Sequence, residues 1–489
     1  MTASGHRIRS LYERMESGRP VMTREQLIAL AQRVLHVSTL SGVIVRVHHT
    51  VRAVTRLAND HVLSSDDGEI LYVQVETSTG GPPSPIFQVF TNQIDDETVS
   101  AALRQCEDLL RASQVFLADN GMKHMPRYQD APAPVRLWHD ATVDAMTSSR
   151  QTMIPQILQT VQAAGLQAAG FVAIMARAEA AVSKEGGVTF FHDETDSEVT
   201  VSARDLARKG AGWSGQTARD WRTIDVPAVA SRAVKIAKDS VNPVAVEPGR
   251  RTAILTPTAV AQLLRHFAEQ WSAVNTDAGL TALSKSPAGG NKLRQRIFDR
   301  RLKMTSDPAD PDGGYRPYMM QDVVASPPMT WVEDGVLKNL AYDTWYAMER
   351  GKQYADLPFS FRLSGGTTPI DEMITKCQDG IFVNAFSNVE VVDRRTCLLT
   401  GATRDGCFLV RDGKISKSVK NFRFLTSPFF FLNNIEAMGV PERAAFGYTP
   451  VGEREQWWSM FSNDWPRLPL IVPPLMVRDF NFNMLADAV

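Results

Sequence analysis

Apolar residues change their spacing several times along the 489-residue chain, and each change marks a predicted element. Thr23 precedes the run REQLIALAQRVL, which is apolar at helical spacing with Glu25 and Gln26 in its first turn, so the pattern predicts a helix capped by Thr23. Residues 1–22 mix Arg, Glu and Ser; they read as a mobile leader and lack the apolar stretch of a signal peptide. At Val43, Val45 and Val47 the period falls to two, the mark of a strand. A second alternating run (ILYVQVETS, from Ile70) meets a third (PIFQVFTN, to Asn92) across the breaker Gly80-Gly81-Pro82-Pro83. The segment DDETVSAALRQCEDLLRASQ then predicts an amphipathic helix opening at Asp95 or Asp96.

Residues 120–150 are rich in Pro, Met and His and read as a connector before a helix over residues 152–168. Residues 170–181 and 187–201 form two strand patterns paired through a turn at Lys184-Glu185-Gly186-Gly187. A helix follows in DVPAVASRAVKIAKDS, where Pro227 falls in the first turn. The Pro/Gly-marked stretch from Asn242-Pro243 to Pro248-Gly249 predicts a boundary. Beyond it come the strand RTAILT, one helix over residues 258–271, and many short strands punctuated at Asp334-Gly335, Asp405-Gly406 and Asp412-Gly413. The expected class is α+β in two domains, an N-terminal α+β domain over residues 23–241 and a β-rich C-terminal domain over residues 250–489.

Charge narrows the function classes. Lys plus Arg number 53 and Asp plus Glu 54, a net of −1, so no bulk field draws the chain to nucleic acid. The longest aromatic-apolar run, Pro428 to Leu432, falls far short of the roughly 20 residues of a membrane span. The four cysteines, Cys106, Cys377, Cys397 and Cys407, form no CxxC and read as free thiols of a cytoplasmic protein. Cys397 and Cys407 could face each other across a hairpin.

The densest candidate chemistry lies on the helix that contains Leu264-Arg265-His266-Phe267-Ala268-Glu269-Gln270-Trp271. His266 and Glu269, at i,i+3, could supply two metal ligands, whereas a hydrolytic zinc needs three and an open water position. No second His lies on this helix. The cluster His192, Asp193, Glu194, Asp196 and Glu198 is rich enough in oxygen for Ca²⁺ or Mg²⁺, yet its alternation reads more simply as an edge strand with a solvated acidic face. His48 and His49 are adjacent in a strand, so they point to opposite faces and cannot chelate together. Gly186-Gly187, Gly289-Gly290 and Gly365-Gly366 carry no phosphate-loop pattern, and no GxSxG is present. From the residues alone, the catalytic set is incomplete.

Several stretches taken in order resemble the TldD/PmbA family. They are Thr55-Arg56-Leu57-Ala58-Asn59, Thr91-Asn92 with the following DDET, and Pro243 with VEPGRRTAILTPTAVAQLL. Further on come GGNKLRQRIFDRRLKMTSDP, WVEDGVLKNLAYDTWYAMERG, and CFLVRDGKISKSVK, the last leading to Asn434-Ile435-Glu436-Ala437-Met438-Gly439. The resemblance spans roughly residues 24–484 and implies a two-domain TldD/PmbA-like fold.

In the family, TldD-type members carry His-Glu-x-x-x-His after the Leu-Leu pair, together with a Cys near the C-terminus, as zinc ligands and base. Aligned from Leu263-Leu264, the ligand positions here hold Arg265 and Gln270, the base position holds His266, and residues 452–489 contain no Cys. Arg is no ligand and an amide is a poor zinc donor. The pattern is similar to the PmbA/TldE side, the metal-free half of a heterodimer that cuts peptides. The resemblance therefore implies no cofactor in this chain, with zinc in a TldD-type metallopeptidase partner, and a peptide substrate. Neither nucleic acid nor membrane is expected as a partner. The rival expectation is a zinc-independent hydrolase acting on a small peptide-like or natural-product substrate, with His266 as base and Glu269 or Arg265 as helper. Trp331, Trp345, Trp457, Trp458 and Phe429 to Phe431 are candidate interface anchors, more simply read as core.

Overall fold

The computed structural model describes residues 20–38, 43–77, 87–117, 136–184, 189–315, 325–446 and 469–486. Most of the leader, the Gly80–Pro83 breaker, the residue 184–187 turn beyond Lys184, and Trp457 and Trp458 lie outside them.

The first helix, α1 (Arg24–Val37), starts as its cap signals: the Thr23 hydroxyl accepts from the Gln26 amide while the Gln26 side chain accepts from the Thr23 amide. It is followed by β1 (Val43–Ala58), β2 (His61–Thr77), β3 (Phe87–Thr91), α2 (Asp96–Leu117), β4 (Arg136–Leu137), α3 (Asp140–Ala163), β5 (Gln167–Ser183), β6 (Thr189–Asp205), β7 (Gly210–Ala218) and α4 (Val226–Asp239). The sheet runs β3-β2-β1-β5-β6, with β4 and β7 both pairing on the far side of β6. Two expectations change here. β2 begins at His61 rather than Ile70, joined to β1 by a tight turn in which Asn59 and Asp60 have φ of 51° and 66°. The expected connector becomes helix from Asp140 onward, and α3 runs through Pro155 without ending.

One face of this sheet packs on the helices through Val45, Val47, Val73, Val75, Ile174, Ala176 and Ala178. The opposite face is polar and still buried. Register places His48, Glu179 and His192 in one row across β1, β5 and β6, with Thr50, Arg177 and Glu194 in the next. Arg46, His48, Glu76, Arg177, Glu179, His192, Glu194, Asp196, Glu198 and Arg219 are each no more than 5% exposed. The expectation of a solvated acidic face on residues 192–198 is thus overturned: β6 is an interior strand. Its Glu194 and Asp196 meet buried cations instead, because charge at such depth persists only when paired.

The second half contains β8 (Gly249–Leu255), α5 (Pro257–Leu264), a small hairpin of β9 (Ser284–Ser286) and β10 (Gly289–Asn291), and then β11 (Met304–Ser306), β12 (Met329–Glu333), β13 (Val336–Leu337), β14 (Phe361–Leu363), β15 (Asp379–Asp393), β16 (Leu398–Arg411), β17 (Lys414–Ser418), β18 (Phe422–Thr426), β19 (Ile435–Met438), β20 (Glu442–Arg443), β21 (Leu470–Val472) and β22 (Leu475–Leu485). Short helices Thr344–Arg350 and Ile370–Lys376 intervene. One sheet runs β13-β12-β11-β14-β21-β20. In the other, β15-β8-β22-β18-β16 closes on itself because β16 also pairs with β15. Rings on its strands meet inside: Phe386 with Phe424 at 4.7 Å, and Phe480 with Phe482 at 4.9 Å. The whole is α+β with a β-rich C-terminal half, the expected class.

Asp334-Gly335 and Asp412-Gly413 are hairpin turns as their sequence predicts. Asp405-Gly406 is not: it is a bulge within β16, where the register against β15 slips between Val383 and Ala385. That one continuous strand also separates Cys397 from Cys407 by ten positions, so they cannot face each other; all four cysteines are free and buried. Trp331 and Phe431 belong to the core, whereas Phe430 is 39% exposed.

Candidate active site

The sequence-predicted site sits where α5 ends. Thr256 caps α5 by accepting from the Ala259 amide, and Pro257 occupies a first-turn position that needs no N–H. Leu263 and Leu264 point into the core. The expected helix to Trp271 breaks: α-helix stops at Leu264, and a single 3-10 turn, Ala268–Trp271, follows. Burial of Phe267, Ala268, Gln270 and Trp271 together with the Leu pair exceeds what one straight helical face can offer, so the chain turns inward. Phe267 packs edge-on against Trp271 at 4.6 Å and contacts Phe298 and Phe429.

Arg265 and His266 are brought together. The Arg265 Nε–H donates to His266 Nε2 at 3.2 Å. Burial lowers the imidazole pKa from 6.5 to about 4, the Arg265 charge adds to this, and a hydrogen bond with the Val389 backbone works in the other direction. Glu269 does not join them. It is exposed, and its nearest cation is Arg394, with Nη1 4.0 Å from Oε2. Gln270 is a structural staple: its Nε2 donates to the Arg394 carbonyl at 3.2 Å and its Oε1 accepts from the Ala282 amide at 2.8 Å.

These residues do not fit a zinc ion. A guanidinium has no lone pair to give, and the only good donor atom of Gln270 is already taken by a backbone amide. Among the described residues no group of three or more His, Cys, Asp and Glu side chains is placed to hold a metal. What remains is a neutral imidazole whose Nε2 accepts from a cation, a weak base at pH 7.

His266 should titrate near pH 4 in an NMR pH series. Because its folded pKa lies below the unfolded value, the unfolded chain takes up the proton first. The stability linked to this ring is therefore complete above pH 6.5 and is lost as pH falls from 6.5 towards 4. His266→Gln should remove that part of the acid slope in urea unfolding.

A second constellation was not expected from the sequence. Glu194 is held by Arg177 on the neighbouring strand and by Arg219 Nη1 at 3.0 Å, with His192 Nε2 at 3.7 Å. Burial alone would raise its pKa, but the Arg177 guanidinium, with Arg219 and the nearby His192 ring, holds the carboxyl well below its ordinary value. Arg219 also donates to the Gly314 carbonyl, and Arg443 Nη2 reaches Asp196 at 3.0 Å. Asn384 Nδ2 donates to the Trp213 carbonyl at 2.9 Å. The acidic strand thus joins the N-terminal sheet to the second half of the chain.

Residues 248–483 match the family model of the PmbA/TldA metallopeptidase C-terminal domain. Three solved structures share the fold over nearly the whole chain. A protein described as a modulator of a DNA gyrase from Thermotoga maritima MSB8 aligns with a TM-score of 0.70 at 15% identity, covering 93% of this chain and 99% of that one. One described as a modulator of DNA gyrase from Bacteroides thetaiotaomicron VPI-5482 gives 0.72 at 13%, covering 95% and 100%. TldE from Thermococcus kodakarensis gives 0.70 at 14%, covering 94% and 99%. No curated protein matches by sequence. Residues 248–483 thus belong to the PmbA/TldA metallopeptidase C-terminal domain family, and along nearly its full length the chain has the fold of these three proteins.

Proposed function

We propose that the chain is a TldE-like, metal-free subunit that pairs with a TldD-type zinc metallopeptidase in the cytoplasm to process or degrade peptides. The observation that carries the reading is the fate of the motif positions within an intact family frame. Arg265 is turned onto His266 and Gln270 is spent on backbone groups, so neither can hold an ion. The zinc-bound water and its base would then belong to the partner, and this chain would help exclude bulk solvent from that site. No helix among the described residues is long and apolar enough to cross a membrane, and the net charge of −1 gives no pull towards DNA.

The rival, a zinc-independent hydrolase using His266, loses support from a base of pKa about 4 and a Glu269 that faces Arg394. Elemental analysis of the chain purified alone and dialysed against chelator should find far less than one zinc per chain; stoichiometric zinc would overturn the reading. Co-expression with a TldD-type protein should yield a stable complex with peptidase activity absent from this chain alone. Turnover by the isolated chain that His266→Ala abolishes would favour the rival instead.

A further inference from the structure

Gly365-Gly366, which carries no phosphate-loop pattern, lets two stretches of backbone meet. A Cβ on Gly365 would lie 2.3 Å from the Gly439 carbonyl oxygen, and one on Gly366 2.5 Å from that of Met438, closer than a side chain tolerates. The chain can therefore lie against β19, where the Gly366 amide donates to the Gly439 carbonyl at 2.9 Å and the Thr368 amide to the Met438 carbonyl at 3.1 Å. At the start of β19 the Arg301 guanidinium takes the backbone instead, donating to the Ile435 carbonyl at 2.6 Å and the Glu436 carbonyl at 3.4 Å. Arg301, Gly366, Thr368 and β19 together line an open cavity of about 490 Å³, within the range of roughly 300–1,000 Å³ in which small molecules are held.

Its walls carry both signs of charge. Arg301 is fixed by Asp299, through Nε at 2.9 Å and Nη2 at 2.8 Å, so it presents a positioned cation at little ordering cost to a ligand. Lys376 and Glu436 are exposed, and their pairs with Glu372 at 2.6 Å and Arg478 at 3.6 Å are surface pairs of about 1 kcal/mol or less, which a ligand can exchange. The buried Met438 and Met476 supply an apolar floor that adapts its shape. We propose that this cavity binds a small zwitterion with an apolar body, an α-amino acid or a short peptide. Its carboxylate meets Arg301 and Lys376, its ammonium meets Glu436, and its side chain rests on Met438 and Met476. Glu436 repels a simple anion, and the two cations repel a simple cation.

The test is a titration of the isolated full chain, labelled with ¹³C at its methionine methyls, with Met438 and Met476 assigned through Met438→Leu and Met476→Leu. Leucine and leucyl-leucine, added up to tens of millimolar, should each shift these two methyls saturably, and the tighter of the two identifies the source of the occupant. Leucinamide, which lacks the carboxylate, and N-acetyl-leucine, which lacks the ammonium, should each bind roughly tenfold more weakly than leucine. Glu436→Gln should erase the advantage of leucine over N-acetyl-leucine and keep its advantage over leucinamide. Lys376→Ala, a second exposed change, should weaken leucine several-fold; thermal midpoints show that both variants fold. No saturable shift with either ligand would overturn the proposal. So would equal binding of leucine and leucinamide, or a Glu436→Gln protein that still prefers leucine to N-acetyl-leucine.

Discussion

Replacing Glu194 with alanine is expected to cost the fold about 3–5 kcal/mol. The reason is what would be left behind. Arg177 and Arg219 are 3% and 5% exposed, and both spend charge on this carboxylate. Without it two guanidinium groups stay buried beside each other with their main counter-ion gone, and neither can lose its proton. Urea unfolding should show the loss as a lower midpoint with little change in slope. Glu372→Ala breaks an exposed pair with Lys376 on the surface and should move stability by no more than about 0.5 kcal/mol. The pH dependence has a definite sign. The folded pKa of Glu194 lies well below the ordinary value of 4.5, so its contribution is complete above that pH and is lost only as pH falls below it. Glu194→Ala should therefore flatten the acid limb of the stability curve.

Phe267→Ala is the second large effect, at about 3–5 kcal/mol, the usual range for emptying an aromatic site in a core. Phe267 is fully buried and touches the rings of Trp271, Phe298 and Phe429. Its ring is what turns the chain inward after Leu264, so the loss should be local as well as global. Two readings separate these. The urea midpoint reports the global cost, while the His266 imidazole reports the local one. With the adjacent packing loosened, water reaches the ring, and its pKa should climb from about 4 back towards 6.5. An unchanged His266 titration in a folded Phe267→Ala protein would show that the junction is held by Gln270 and the backbone instead.

Where one face of an element is buried and the other wet, the sequence announces it. α1 is of this kind, and Asp-Gly pairs mark the hairpin turns at Asp334 and Asp412; the start of β1 alternates apolar and polar although both of its faces are buried. The first ten residues of β2 are exposed or half-buried, with polar side chains on both faces, so no period of two survives to mark a strand. β6 misleads in the opposite way. Its His192, Glu194, Asp196 and Glu198 alternate like a wet face, and only the neighbouring strand reveals that they are dry. A signal was present: a turn centred between residues 185 and 186 pairs positions whose numbers sum to 371, which sets Arg177 opposite Glu194. Arg219 and Arg443 arrive from far along the chain, and no local pattern points to them. At the candidate site, Arg265 and Gln270 at the expected ligand positions are legible in the sequence as side chains that bind zinc poorly. That Gln270 has become a staple for Ala282 and Arg394 depends on segments that meet only in the folded chain.

The closed ring of the second half also has a consequence in time. β8 borders β22, which is synthesised some 220 residues after it. At the usual ribosomal pace of about 5–20 residues per second, β8 waits roughly 10–45 s for that neighbour. Until β15 emerges the nascent polypeptide holds out a strand with neither neighbour, and from then until β22 arrives a half-satisfied one. Guarding it is a task for whatever attends the ribosome exit, and a message cut short before residue 475 would release a product prone to clump.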